Sequence, residues 1–546
     1  MTVEMAFPTL DDEQMREVKR LGQRLEVRAE TVLIPAGQKD YPFFVIESGN
    51  VKILEIDEDH ETLIATHGPR AFTGDVDMLT GRSSVFTARA AEDSVVYTFP
   101  AQQLRRLLAS CPHMSELLLE AFQSRRKLLD GLPFLGVRVI GKSNNANTLR
   151  LREFLYKNHV PHTFIELESS EGQKQRHVLD ADSLELPIVR CNGRTIGNPS
   201  MWEFARCLGI DKSVEGRTFD LAIVGGGPAG LAAAVYAASE ALDVLVIDKV
   251  GPGGQAGSSS KIENFIGFPS GISGNELASR SYLQALKFGA TFIAPEVVAG
   301  LESDDGEGHR LRLESGQVIH ARCVLVTSGV TYRQLGIPGC TRFEGAGVYY
   351  AATSVESRAC ADAHAVVVGG GNSAGQAAMF LANSSEQVHL LIRGDDLAKS
   401  MSAYLCDRIG NHPRIEVHRN TEVDEVCGDD CVEMIRVQNN ATGTVTDIEC
   451  SGLFIFIGAR PHTQWLPEDV LLDEKGFVLT GTSFFSDERL RGHWPLDRAP
   501  CDLETTRPGI LAGGDVRSGS TKRCGFAVGD GSLAVACVHR YLNGFS

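Results

Sequence analysis

The chain has 546 residues, 43% hydrophobic and 23% charged, a balance ordinary for soluble globular protein and enough for three or four domains at roughly 150 residues each. Its formal net charge of -17 repels nucleic-acid phosphates and anionic lipid heads, so neither nucleic acid nor membrane is expected as a partner. No apolar run approaches the ~18 residues of a membrane span, and the opening MTVEMAFPTLDDEQM is acidic, unlike a signal peptide.

Residues 1–130 begin with short β-like runs at Phe43–Glu47, Val51–Glu55 and Val95–Phe99, with Gly49 and Asn50 marking a turn between the first two. Helical periodicity follows at Gln102–Ser110 and Met114–Leu129. A β-roll capped by helices is predicted. Residues 132–210 alternate strand and helix: Val137–Ile140, Thr148–Asn158, His162–Leu167, Leu186–Val189 around Pro187, and a closing helix Met201–Leu208. That rhythm predicts a small α/β unit. Residues 211–218 (DKSVEGRT) read as a polar linker.

Phe219–Val224 is a strand that runs into Gly225-Gly226-Gly227-Pro228-Ala229-Gly230, then a helix Leu231–Ser239 and a second strand Asp243–Ile247 ending in Asp248. Gly225 permits the tight turn, Gly227 lets backbone approach a pyrophosphate, and Gly230 lets helix and strand pack closely. The helix N-terminus, with Pro228 and Ala229 in its first turn, offers N–H groups to phosphate. Asp248 stands where an acid accepts ribose hydroxyls. Strand, glycines, helix and acid together make this a strong dinucleotide signal.

A second unit repeats the pattern. The strand Ala363–Val368 leads into Gly369-Gly370-Gly371-Asn372-Ser373-Ala374, a helix Gly375–Ala382 and a strand Gln387–Ile392. The strand ends at Arg393, not at an acid. An arginine there pairs with a 2′-phosphate, which favours NADPH and leaves NADH open. Ala374 in place of the third glycine loosens helix packing. The 13 cysteines are odd in number, scattered and without CxxC, which suits reduced thiols in a cytoplasmic protein. Cys427 and Cys431 of CGDDC read as surface thiols on a turn, and no metal site is expected.

With these motifs, residues 217–546 resemble the low-molecular-weight thioredoxin reductases. The resemblance continues through Gly253-Gly254-Gln255, Lys261-Ile262-Glu263-Asn264-Phe265 and Val326-Thr327-Ser328-Gly329. It extends to Phe456-Ile457-Gly458-Ala459-Arg460-Pro461, Gly509-Ile510-Leu511-Ala512-Gly513-Gly514-Asp515-Val516 and Ala527-Val528-Gly529-Asp530-Gly531. It implies tandem Rossmann-like domains, FAD over 217–335 and 462–546 and NAD(P)H over 340–460, preceded by the β-roll and the small α/β domain. It implies Gln255 and Asn264 beside the isoalloxazine, Asp515 at the ribityl and phosphate end of FAD, and Lys522, Arg523 and Cys524 near the flavin edge. It also implies a homodimer.

The family carries a Cys-Ala-Thr-Cys dithiol just before the second glycine loop. Here Val348-Tyr349-Tyr350 is followed by Ala351-Ala352-Thr353-Ser354, and both sulfurs are gone. Alanine and serine cannot form the mixed disulfide that dithiol exchange requires. The family's basic cluster beside the nucleotide is thinned to Arg393, with Lys399 as a compensating cation. Residues 132–210 resemble a glutaredoxin- or thioredoxin-like fold, with Leu186-Pro187 as its cis-proline turn and a cysteine-free active-site loop at 142–148. Residues 1–130 resemble cyclic-nucleotide-binding domains, through Tyr41–Gly49, Phe72-Thr73-Gly74-Asp75 and Thr87-Ala88-Arg89-Ala90. Asp75 stands at the ribose-binding position and Ser84 at the phosphate-binding one, with Arg82 out of register. Lacking a charge-assisted partner, this site would bind a cyclic nucleotide weakly or not at all.

The expected activity is hydride transfer from NADPH to FAD, with electrons passed to a small-molecule or carrier-protein acceptor. The protein positions the cofactors and no side chain is required as a general base, so no catalytic residue is assigned. Three alternatives stay open: a ferredoxin–NADP reductase-like enzyme, a non-enzymatic flavin-binding regulatory protein, and electron exit through a thiol elsewhere, Cys524 above all.

Overall fold

The computed structural model describes the whole chain except residues 1–2, 58–59, 130–136, 144, 179–183, 192, 260–261, 263, 305–307, 345, 351, 353–355, 358–359 and 545–546. Two parallel sheets organise its C-terminal part. In the first, Thr291–Ile293, Val244–Ile247, Thr218–Val224, Val318–Val326 and Ile510–Ala512 pair in parallel, extended by the antiparallel strands Gly308–Leu313 and Val298–Asp304. A continuous apolar run suits a strand covered on both faces; Leu221, Ala222, Ile223 and Val224 are all buried. Helices Pro228–Ser239 and Cys524–Leu542 cover one face.

In the second sheet Val348–Tyr349, Gly452–Ile455, His364–Val368, Gln387–Leu391 and Ile415–His418 are all parallel. Helices Asn372–Leu381 and Ala403–Gly410 pack on one face. The antiparallel strands Thr421–Cys427, Met434–Asn439 and Val445–Glu449 supply apolar side chains to the core on the other. A two-stranded ribbon, Val330–Tyr332 against Ala459–Pro461, joins the two halves. Strand Ile510–Ala512 then returns to the first sheet.

Residues 137–207 form a four-stranded sheet in the order Arg194–Gly197, Ile188–Cys191, Val137–Gly141, His162–Glu166, with only the last pair parallel. The Leu186–Pro187 bond is cis. Helix Ser170–Val178 and strand Arg194–Gly197 are not expected from the sequence. The helix reads SEGQKQRHV, which offers almost no apolar period to detect.

The N-terminal roll consists of two sheets. Phe43–Ser48 and Val51–Asp57 flank the Gly49-Asn50 turn but do not pair with each other; each joins a different sheet. Gly49 has φ +85°, and a Cβ there would stand 2.1 Å from Ser94 Oγ. Helix Asp12–Leu21, also unexpected, starts with a capping box between Asp11 and Gln14. The polar stretch 211–218 is tied down and is not a free linker: Val214 is buried, its N–H donates to Gln317, and Glu215 accepts the Val318 N–H. Among the described residues no helix is long and apolar enough to cross a membrane.

Candidate functional site

The first glycine loop is built by close backbone contacts. Gly225 has φ +112°, and a Cβ there would lie 2.2 Å from Thr327 O. A Cβ on Gly230 would lie 2.0 Å from Gly225 O, so helix and strand meet without room for a side chain. Gly227 is different: the nearest atom to its absent Cβ is Gly254 Cα at 3.9 Å. Gly254 (φ +53°) presents bare backbone from the opposite side. The two backbones touch, since a Cβ on Gly254 would lie 2.8 Å from Gly227 Cα, and neither places a side chain at the N-terminus of the 12-residue helix that Pro228, Ala229 and Gly230 open, where N–H groups and the helix dipole suit a pyrophosphate.

Asp248 accepts the Gly226 N–H at 2.7 Å through one oxygen and the Val250 and Gly251 N–H groups at 2.9 and 2.8 Å through the other. It therefore shapes the loop, and a carboxylate with about four acceptor sites keeps capacity for a ribose hydroxyl. The C-terminal motif converges on the same helix end. Gly514 packs on Ala229, whose Cβ would be 3.0 Å from a Cβ at 514. Asp530 holds the Gly514 N–H at 2.9 Å and the Arg517 Nε at 3.1 Å. In the sequence Asp530 reads only as part of a helix start; its role as a clamp appears only when Gly514 is brought beside it. Burial pushes the Asp515 carboxyl above its ordinary range, with Lys522 opposing, and Lys522 Nζ donates to the Asp515 carbonyl at 3.0 Å. Arg523 stands at the N-cap of the helix Cys524–Leu542. Burial pushes the Cys524 thiol up to about 11, which suppresses its thiolate at neutral pH.

Gln255 Nε2 donates to the Val330 carbonyl at 2.6 Å and ties its turn to the ribbon. Gly329 (φ +66°) precedes that ribbon, and its carbonyl accepts the His462 N–H at 3.2 Å. Asn264 lies in the following loop; Lys261 and Glu263 of its motif lie outside the described residues. Gly458 (φ +99°) sits at the ribbon, accepting the Arg333 N–H at 2.9 Å, and is part of the connection between the halves.

In the second glycine loop Gly369 has φ +142°, and a Cβ would stand 2.3 Å from Phe456 O. The nearest atom to a Cβ on Gly371 would be Ser400 O at 4.0 Å, so this edge too is open backbone. Asn372 and Ser373 begin the helix and Ala374 is buried in it. Asn372 Oδ1 accepts the Ser402 N–H at 2.7 Å, and Ser400 Oγ donates to Gly370 O at 2.8 Å. Residues 400–402 thus border the loop, which sequence reading missed. Arg393 is exposed, with Glu422 3.9 Å away. Lys399 does not stand as a spare cation: its Nζ is 2.5 Å from the Asp395 carboxylate, and that partner raises its pKa.

Of the segment where the family carries its dithiol, Ala351, Thr353 and Ser354 lie outside the described residues. The flanking Cys340 and Cys360 are buried, and burial pushes Cys360 up to about 12.

The N-terminal cassette spends its charges within the chain. Arg126 reaches Asp75 and Asp77, each at 2.8 Å. Arg82 lies 3.5 Å from Asp77 and donates to the Asn158 carbonyl. Asn158 Nδ2 donates to the Val250 carbonyl at 2.6 Å, beside Asp248. Ser84 Oγ donates to the Phe86 carbonyl, and Arg89 pairs with Glu61 at 2.6 Å. Lys127 pairs with Glu276 at 2.6 Å, and His159 stacks on Tyr282.

Comparison with known proteins bears on the fold and family. Residues 219–531 match the pyridine nucleotide-disulphide oxidoreductase family and residues 24–111 the cyclic nucleotide-binding domain. Thioredoxin reductase of Treponema pallidum is 33% identical over 326 residues, 60% of this chain and 97% of that protein. The crystal structure of Lactococcus lactis thioredoxin reductase in its FR conformation superposes with a TM-score of 0.53 at 28% identity, covering 60% of this chain and 99% of its own. T. acidophilum thioredoxin reductase gives 0.53 at 30% identity, covering 60% and 100%.

Proposed function

The chain belongs to the pyridine nucleotide-disulphide oxidoreductase family, and we propose that it passes electrons from NADPH through FAD to an acceptor without a dithiol of its own beside the flavin. Its fold is that of a thioredoxin reductase-like FAD and NADPH oxidoreductase, and the family implies both cofactors. One observation carries the finer reading: both glycine loops keep their side-chain-free edges at Gly227 and Gly371, while the sequence at 351–354 is Ala-Ala-Thr-Ser.

The residues fit the two cofactors. The bare backbone at Gly227, the helix N-terminus at Pro228–Gly230, Asp248, and Gly514–Asp515 would hold FAD. Gln255, Asn264, Gly329, Arg523 and Cys524 lie on the segments assigned to its flavin end. Gly369, Gly371–Ala374 and Arg393 would hold the nicotinamide nucleotide, and Gly458 supports the ribbon between the sites. When bound, the flavin supplies the redox chemistry. The chain supplies position: N–H groups for the phosphates, acids for hydroxyls, and closely packed glycines that keep side chains away. No side chain must move a proton for hydride transfer. NADPH is favoured over NADH by Arg393 alone, because Lys399 is engaged by Asp395.

Units at 1–130, 132–210, 217–335 with 462–546, and 340–460 follow this division of labour. The N-terminal unit serves as an internal contact module, since Arg82 and Arg126, two cations beside the cassette, are engaged by Asp75, Asp77 and Asn158. A homodimer in the cytoplasm is part of the same reading; exposed Tyr236, Ile266, Phe526 and Leu533 offer apolar surface on the flavin half. The test is anaerobic stopped-flow reduction of the purified holoenzyme by NADPH or NADH, then addition of quinone, oxygen, ferredoxin or thioredoxin. Rapid bleaching with NADPH and reoxidation by one of the first three is expected. Flavin that neither nucleotide bleaches leaves a non-enzymatic flavin protein, and fast thioredoxin reduction abolished by Cys524→Ser would restore a thiol exit.

A further inference from the structure

Three imidazoles cross the nicotinamide-side sheet in a row. His364 opens the strand His364–Val368, His389 sits in the middle of Gln387–Leu391, and His418 closes Ile415–His418. The register pairs Val366 with His389 and His389 with Glu416. Alternate residues of a strand share a face, so His364, His389, Glu416 and His418 all project from the same side of the sheet. Neither glycine loop uses them.

Their geometry is that of a ligand set. His389 Nδ1 is 3.0 Å from His418 Nε2. A Glu416 carboxylate oxygen is 3.6 Å from His389 Nδ1, and the other is 3.7 Å from His418 Nε2. Imidazole and carboxylate ligands at about 2.0–2.2 Å from a tetrahedral ion stand roughly 3.3–3.6 Å from one another. The separations, which involve both Glu416 oxygens, lie near that value, and with one ligand atom from each residue the three lie within 4.8 Å of one another, so side-chain adjustment can close them around an ion. Glu416 is exposed and His418 half-buried, so solvent reaches the cluster from one side.

His364 completes the arrangement. Its Nδ1 is 3.2 Å from His389 Nε2. If His389 binds an ion through Nδ1, its one proton rests on Nε2 and is donated to His364, the outer partner that metal-bound histidines require to hold their tautomer and ring plane. Two imidazoles and one carboxylate select zinc and its first-row neighbours over magnesium or calcium, which prefer all-oxygen shells.

We propose that His389, His418 and Glu416 form a site for a divalent first-row transition metal of the zinc class, with His364 as the positioning residue. The ion clips the edge strand Ile415–His418 to Gln387–Leu391. That strand's end also carries the nucleotide-side turn, since the His418 carbonyl accepts the Ile392 N–H at 2.9 Å, one residue before Arg393.

The experiment is titration of the metal-free holoenzyme with Co2+, followed by Zn2+ competition. The expected result is one equivalent of Co2+ with a visible d–d spectrum and no near-ultraviolet thiolate band, which separates this site from the cysteines. Zn2+ should displace it. His389→Ala/His418→Ala should abolish the spectrum, and His364→Phe should weaken binding about 10–100-fold. Because Glu416 is exposed, Glu416→Gln keeps the fold and should weaken binding at least about tenfold; it carries the test if the double variant fails to fold. Equal Co2+ uptake by wild type and Glu416→Gln, a thiolate band accompanying uptake, or no stoichiometric uptake leaving a plain hydrogen-bonded histidine row, would each overturn the proposal.

Discussion

Gly230→Ala tests the reading of the first glycine loop most directly. The added Cβ would stand 2.0 Å from Gly225 O and 2.9 Å from Thr327 Oγ1. Carbon–oxygen contacts settle near roughly 3.3 Å, so the first of these is about 1.3 Å too close. Neither partner can yield cheaply. Gly225 is itself held against Thr327 O, 2.2 Å from where its own Cβ would be, and the strand before it is paired on both sides. The helix must therefore move outward, and overpacking of this kind costs about 1–3 kcal/mol. Because the displaced N–H groups are those that would face the pyrophosphate, the cost should appear as FAD affinity weakened roughly 5- to 150-fold. Reconstitution of the apoprotein followed by flavin fluorescence measures this, with thermal melting alongside. Gly371→Ala is the control: its Cβ would meet nothing nearer than 4.0 Å, at φ -95°, and FAD affinity should not change. Gly230→Ala binding FAD within twofold of wild type, with unchanged melting, would refute the packing argument.

The nucleotide edge and a buried histidine give two further tests. Arg393→Ala should lower kcat/KM for NADPH by about tenfold, the low end for a hydrogen bond to charge because the side chain is exposed, and leave NADH unchanged; equal losses with both nucleotides would remove Arg393 from 2′-phosphate recognition. Asp395→Asn releases Lys399 and removes an acid, so the NADPH-to-NADH ratio should rise; a fall would show that Asp395 assists binding. His309 is buried with no hydrogen-bond partner on either ring nitrogen among the described residues, and burial lowers its pKa to about 4. Its unfolded value is about 6.5. Between these, the unfolded chain holds one more proton, so stability is full above about pH 6.5 and falls as pH drops toward 4, by up to ~1.4 kcal/mol per pH unit. His309→Leu should remove that loss, gaining up to about 2 kcal/mol on wild type between pH 7 and pH 5 in urea melts; parallel pH profiles would exclude it.

What could be read from the sequence was what is contiguous. Each glycine loop lies within about ten residues, between a strand and a helix whose periods are plain, so Gly225 to Gly230 and Gly369 to Ala374 are legible where the fold places them. Functions that depend on distant segments meeting were not legible. Asp530 clamps Gly514 across 16 residues, and Ser402 meets Asn372 across 30. The histidine row needs three strands in register, and no spacing among 364, 389, 416 and 418 resembles a metal motif. Lys399 shows the reverse failure: its charge was visible, but not that Asp395 occupies it.

The N-terminal cassette carries this furthest. From the sequence, a missing phosphate-binding arginine was a loss of function. In the fold, Arg82 is not lost but redirected. It binds the Asn158 carbonyl, Asn158 binds the Val250 carbonyl, and the Val250 N–H binds Asp248, the acid of the first glycine loop. An anion entering the cassette would have to take Arg82 or Arg126 from buried carboxylates, leaving Asp75 or Asp77 without its counter-charge, a cost of several kcal/mol. A cyclic phosphate hydrogen-bonded to one arginine returns only about 1.5–3 kcal/mol. The balance favours the internal contacts, and the same three hydrogen bonds place the roll, the small α/β unit and the flavin half in one connected polar path.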